Sequence, residues 1–172
     1  ARDPETGRPT PDTNLIREII TSIKSRCNMV VCITTGGGLG MTAEQRLVPV
    51  STFKPELASF NAGSINFALF HALERYKEFK FDWEKQYLAM TEDFIFPNTF
   101  KSMREFAVIF KEHGTKPEFE VYDSGMVNNV AFSYFGVYVA DQLAKVGVTV
   151  DHQALPTPQV AARRVSGDYD LI

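Results

Sequence analysis

The run Met29-Val30-Val31-Cys32-Ile33-Thr34-Thr35 is followed at once by four glycines in the five positions 36–40. A continuously apolar, β-branched stretch of this kind reads as a strand buried on both faces, as in parallel sheets. The glycines read as a loop in which the backbone approaches something closely. Beyond them Thr42-Ala43-Glu44-Gln45 fits a capping box, which predicts a helix start. Strand, glycine turn and capped helix, in that order, point to an α/β fold built from βαβ units.

The same alternation runs along the chain. Three prolines and a glycine in residues 2–13 form a turn-rich loop, after which Asp12 or Thr13 caps a helix with an apolar stripe at Leu15, Ile16, Ile19, Ile20 and Ile23. Residues 28–35, 55–61, 93–98 and 117–123 read as strands, the third stopped by Pro97. Residues 65–78, 83–91, 99–113 and about 126–145 read as helices. Residues 147–150 read as a further strand, and 158–165 as a short helix in a turn-rich tail. A parallel sheet with right-handed crossovers would bring Thr34, Thr35, Asn61, Asn98 and Asp123 to one face, at the strands' C-terminal ends. That face binds ligands in barrels and in open α/β sheets.

The 172 residues are 44% hydrophobic and 23% charged, with a net charge of −3 and a sequence pI near 5.6, as expected of one soluble domain. Nothing in that balance resembles a nucleic-acid footprint. No apolar run approaches the ~18 residues of a membrane span, and no signal-peptide pattern opens the chain. Cys27 and Cys32 lack CxxC spacing and read as buried free thiols of a cytoplasmic protein. The chain opens Ala1-Arg2-Asp3 rather than with Met, so a removed start or an internal portion of a longer protein is expected.

The glycine loop admits three readings. It is no Walker A motif, because no Gly-Lys-Ser/Thr ends it. Residues 38–43 satisfy G-x-G-x-x-G/A, but a dinucleotide site needs an acidic residue at the end of the next strand, and Asn61 stands there. A plain structural turn is the second reading. An anion site made of backbone N–H groups and threonine hydroxyls is the third.

Other candidates are weaker. His71, His113 and His152 show no metal-ligand pairing, and Trp83, Tyr87 and Met90 fall at helical spacing as packing residues. Glu118 and Glu120 share a strand face, either as a buried carboxylate pair of catalytic type or as ordinary polar lining. No G-x-S-x-G elbow or local Cys-His arrangement is present.

Taken in order, "RDPETGRP", "TTGGGLGMTAEQRL", "ELASFNAGSINF", "DWEKQYLAMTEDFIFPNTF" and "FEVYDSGMVNNVAF" resemble the β-keto acid cleavage enzymes, the group typified by 3-keto-5-aminohexanoate cleavage enzyme. The likeness covers about residues 1–132. It implies a (βα)8 TIM-barrel type of α/β fold, of which the chain carries only part, about four of eight strands, with residues 133–172 as a divergent C-terminal segment of the same domain. It also implies a zinc-dependent enzyme that condenses a β-keto acid with acetyl-CoA and cleaves the product to acetoacetate and a new CoA thioester. By the resemblance Thr34, Thr35, Gly36, Gly37 and Gly38, with Ser59 and Asn61, hold the β-keto acid's carboxylate. Glu120 lines the pocket as the catalytic carboxylate, and Arg2 and Asp3 orient metal ligands.

The zinc ligands themselves are expected outside this chain. The family's H-x-H lies immediately before "RDPETG", and its R-x-x-x-E-D stretch is not matched by Arg164, Asp168 and Tyr169. A homo-oligomer is expected, with no nucleic-acid or membrane partner. The alternative reading is a non-catalytic barrel fragment, or oligomerising domain, that pairs with another chain.

Overall fold

A computed structural model describes residues 1–38, 40–130 and 145. The chain divides into two units, Ala1–Tyr134 and Phe135–Ile172, and the first is described below. The expected strand at 147–150, the short helix at 158–165 and His152 lie outside the described residues, as does the second half of the helix expected over 126–145.

The fold is mixed α/β. Helix α1 (Thr13–Lys24) leads to strand β1 (Cys32–Ile33), helix α2 (Ala43–Phe53) and strand β2 (Leu57–Asn61). Strand β3 (Ile65–Asn66), helices α3 (Ala72–Arg75) and α4 (Asp82–Met90) and strand β4 (Ile95–Phe96) follow. Helix α5 (Phe100–His113), strand β5 (Lys116–Glu120) and helix α6 (Ser124–Val130) complete it. Strands β1, β2 and β5 form a parallel sheet in the order β1-β2-β5.

Local chemistry sets the helix ends. Asp12 accepts from the Asn14 N–H at 2.8 Å at the start of α1, and Thr99 accepts from the Ser102 N–H at 3.3 Å at the start of α5. The Thr42–Gln45 capping box forms in both directions, at 2.9 and 3.2 Å. Gly114 ends α5 in the left-handed conformation (φ 69°), where it bears no Cβ penalty.

The core lies on one face of the sheet. Leu47 and Val50 of α2 and Met103, Phe106, Ala107 and Phe110 of α5 close over Ala58 and Phe60 of the central strand. Phe60 is fully buried and meets Phe106, Phe110 and Phe119 edge to face, with centroids 6.1, 5.9 and 5.1 Å away.

Three expectations are corrected. The strand expected over 28–35 shrinks to two residues and is buried on one face only: Ile33 and Thr35 are buried, while Cys32, Thr34, Met29 and Val30 are exposed. Among the described residues β1 pairs on one side only, with β2, and side chains meet the chain entering it: Lys24 Nζ donates to the Met29 carbonyl, and Glu56 accepts from the Val31 N–H. For the same reason Cys32 is not buried, and Cys27, beyond the end of α1, is exposed as well.

The helix expected over 65–78 is largely replaced. Ile65–Asn66 pairs antiparallel with Ile95–Phe96, so the third expected strand joins a separate ribbon and not the parallel sheet. Phe67 packs its ring on Phe94 and Phe96, at 6.4 and 6.0 Å, and that tertiary contact overrides the helical pattern. Only α3 remains helical, and with no buried residue it has nothing to extend it.

Glu56 ties α1, β1 and β2 together by accepting from Lys24 Nζ and from the Val31 N–H. The Lys24 bond, with backbone N–H groups, lowers its carboxyl to about 2. A depressed carboxyl contributes stability above the unfolded value of ~4.3 and loses it as pH falls towards the folded value. Denaturation of wild type and Glu56→Gln should therefore differ most near neutral pH, and the two should converge as pH drops from about 4.5 to about 2. A difference that is constant across that range would contradict the assignment.

Candidate functional site

The C-terminal ends of β1, β2 and β5 open on a cavity of about 460 Å3. Its polar side is formed by Thr34, Gly36, Gly37, Gly38, Asn61 and Glu120, and its opposite wall by the ribbon residues Ile65, Phe67 and Phe94 to Pro97. Parallel register explains the clustering. Ser59 pairs with Glu118 and Asn61 with Glu120, so the two carboxylates share a face with residues of the central strand.

The expected site residues fall into two groups. Thr34, Gly36, Gly37, Gly38, Asn61 and Glu120 line the cavity. Asn61 is 5% exposed, and its side-chain amide makes no hydrogen bond among the described residues. The Gly37 N–H is likewise unbonded there, whereas the Gly36 N–H reaches Thr34 Oγ1 at 3.3 Å. Thr35 and Ser59 sit behind this surface, buried and locked to each other. The Thr35 N–H donates to Ser59 Oγ at 2.9 Å, and the Thr35 hydroxyl donates to the Ser59 carbonyl at 2.8 Å.

Arg2 and Asp3 organise the N-terminal loop. Asp3 accepts from the Thr6 and Glu5 N–H groups and from the Thr6 hydroxyl, at 2.7, 3.0 and 2.9 Å. Those Thr6 bonds hold its carboxyl below the usual range. Arg2 donates to the Gly7 carbonyl at 2.9 Å. Trp83 Nε1 donates to the Thr6 carbonyl at 2.8 Å, Arg8 lies over the Trp83 ring, and Gly7 (φ 68°) passes Phe81 where a Cβ would stand 2.3 Å from the ring. The packing role expected for Trp83 and Tyr87 thus extends outward: Trp83 docks this loop, and Tyr87 lines the cavity.

Glu118 and Glu120 do not form a buried pair, since Glu118 is exposed. Glu118 accepts from the Cys32 thiol at 2.9 Å. Desolvation, that bond and the charges of both glutamates push the thiol up to about 12, so Cys32 is no nucleophile at neutral pH. Glu120 accepts from the Tyr122 hydroxyl at 2.9 Å, which raises the phenol's pKa. Asp123 accepts from the Met126 N–H at the start of α6, and His71 stacks on Phe70. Among the described residues no group of three or more His, Cys, Asp or Glu is placed to hold a metal.

One residue of the cavity wall, Arg46, lies within a quoted sequence motif but has no role assigned there. Arg46 of α2 is 6% exposed and lies between the rings of Phe96 and Phe106, at 4.8 and 4.9 Å. Its guanidinium donates to the Thr35 carbonyl at 2.6 Å, the Pro97 carbonyl at 3.1 Å and Asn98 Oδ1 at 2.7 Å. Burial lowers its pKa to about 10, opposed by the nearby charge of Glu120, so it stays cationic at neutral pH. Its position four residues after the N-cap Thr42, on the helix that leaves the glycine loop, was the available clue.

The sequence signature of the beta-keto acid cleavage enzyme family matches residues 1–144. A 3,5-dioxohexanoate:acetyl-CoA acetone transferase of Paraburkholderia graminis is 44% identical over 131 residues, which are 76% of this chain and 42% of that protein. A 3-keto-5-aminohexanoate cleavage enzyme of Fusobacterium nucleatum is 32% identical, over 71% of this chain and 36% of the relative. A 3-dehydrocarnitine:acetyl-CoA trimethylamine transferase of Rhizobium meliloti is 25% identical, over 87% and 46%. The chain thus spans less than half the length of these relatives.

Proposed function

The chain belongs to the beta-keto acid cleavage enzyme family, and we propose that the protein carrying it condenses a β-keto acid with acetyl-CoA and cleaves the adduct to acetoacetate and a new CoA thioester. The carrying observation is the cavity at the parallel strand ends, lined by Thr34, Gly37 and Asn61, whose hydroxyl, backbone N–H and side-chain amide are neutral donors. Such donors suit a carboxylate, which gains charge-assisted hydrogen bonds from them, with the Arg46 guanidinium on the same cavity wall. In this reading Thr34, Gly36, Gly37, Gly38 and Asn61 receive the substrate carboxylate. Thr35 and Ser59 fix the two strand tips that present them.

Condensation requires removal of a proton from the carbon between the keto and carboxyl groups. Glu120 is the carboxylate on the cavity wall, and we assign it that proton. Arg2 and Asp3 hold the loop that the family places beside its metal ligands. The zinc implied by the resemblance finds no ligand set among the described residues. The (βα)8 barrel, with residues 1–132 as part of it and 133–172 as its divergent remainder, belongs to the same proposal, as do a homo-oligomeric assembly and a cytoplasmic location.

The test incubates the protein with acetyl-CoA and a panel of 3,5-dioxohexanoate, 3-keto-5-aminohexanoate and 3-dehydrocarnitine, the compounds that name the relatives' activities. Mass spectrometry should find acetoacetate and a new CoA thioester in equal amounts from at least one member, in a preparation that contains zinc. A preparation that retains no zinc when zinc is supplied, forms a defined dimer and yields neither product would instead support the non-catalytic fragment.

A further inference from the structure

Arg46 is the buried charged side chain among the described residues; no carboxylate hydrogen-bonds it, although the charge of Glu120 on the same cavity wall acts on it. Its three acceptors are two backbone carbonyls and one amide oxygen, drawn from the end of β1 and from residues 97 and 98. An apolar side chain of similar volume would fill the space between Phe96 and Phe106 without the cost of desolvating a cation. A guanidinium retained there therefore calls for a reason beyond packing.

The reason lies in the peptide unit it holds. The Thr35 carbonyl and the Gly36 N–H belong to one planar trans peptide and point in opposite directions. Fixing the carbonyl on Arg46 Nε therefore turns the Gly36 N–H to the other side, where it meets Thr34 Oγ1 on the cavity wall. The aliphatic stem of Arg46 also runs under the next residue, since a Cβ built on Gly37 would lie 2.9 Å from Arg46 Cγ. Two further N–H groups brace the same guanidinium against Pro97 and Asn98.

We propose that Arg46 is a positioning residue that sets the plane of the Thr35–Gly36 peptide and so aims the Thr34–Gly37 donors at the bound carboxylate. The role rests on the carboxylate-binding reading above. Arg46 lines the same cavity, and the proposed role is exercised through the loop, by way of the Thr35 carbonyl that its Nε holds. Lysine keeps the charge but presents a compact ammonium in place of a planar fork, and methionine keeps only the stem.

The experiment compares wild type, Arg46→Lys and Arg46→Met in the protein that carries this chain. The KM for the β-keto acid should rise about tenfold or more in both variants, the loss of about one well-aligned hydrogen bond to a charged group. The KM for acetyl-CoA should stay within about twofold. Amide hydrogen exchange, read without any substrate, should accelerate at residues 35–38 while α5 keeps its protection. A merely structural arginine would lower the active fraction and leave both KM values unchanged, which would overturn the proposal. Unchanged exchange at residues 35–38 in Arg46→Met would overturn it as well. If no β-keto acid reacts with wild type but the loop still loosens in both variants, the proposed function fails and the clamp stands.

Discussion

Phe60→Ala is expected to lower the unfolding free energy by about 3–5 kcal/mol, the range for removing a large aromatic from a core that collapses only partly. Phe60 is fully buried on the central strand and sits edge to face with three other rings, one from β5 and two from α5. The large expected cost has two sources: lost transfer free energy, and loss of edge-to-face contacts of about 0.5–1.5 kcal/mol per pair. Val108, on the exposed side of the same α5, is the control, and Val108→Ala should change stability by no more than about 0.5 kcal/mol. Urea denaturation of the three proteins measures both. Equal losses for the two variants would show that the core is not organised around Phe60.

Gly37→Ala is expected to have the largest effect on ligand binding. Gly37 adopts φ 65°, a conformation that costs an L-residue about 1–2 kcal/mol. The added methyl would also stand 2.9 Å from Arg46 Cγ and 3.1 Å from Met41 Sδ. Neither contact is relieved cheaply, because three hydrogen bonds pin the Arg46 head and the Gly38 N–H rests on the Met41 sulfur at 3.1 Å. The loop must move, and its donors move with it. The KM for the β-keto acid should rise about tenfold or more. Gly40 supplies the comparison: its φ of 78° carries the same backbone cost, but nothing lies within 4 Å of the added methyl. Gly40→Ala should therefore reduce stability and leave KM within about twofold. If both alanines raise KM equally, backbone strain alone is responsible, and the close approach of Gly37 to Arg46 has no part in binding.

The sequence made the helix boundaries readable wherever a side chain closes them. Asp12, one of two expected caps, and Thr42 carry local signals that act within a few residues, and each caps its helix where expected. The parallel sheet was also legible, because apolar strands alternating with helices leave few other arrangements. What failed depended on distant partners. The exposure of Cys32 and Val30 follows from β1 pairing on one side only among the described residues, which no local pattern reveals. The β3–β4 ribbon forms because Phe67 meets rings about 30 residues away. In the site, the glycine loop announced itself by composition, and the strand-end residues followed from the fold. Arg46 did not, because its acceptors are main-chain carbonyls and an amide that only folding brings together.

The central claim is that the glycine loop and the neighbouring strand tip bind a β-keto carboxylate, not a nucleotide phosphate. Titrating isotope-labelled protein with acetoacetate, and separately with NAD, reads this from individual amide resonances. The account predicts saturable shifts with acetoacetate at the amides of Thr34, Gly36 and Gly37 and at the Asn61 side chain, with no saturable response to NAD. Saturable shifts of the same loop with NAD, or acetoacetate binding that leaves Gly37 and Asn61 unperturbed, would contradict it.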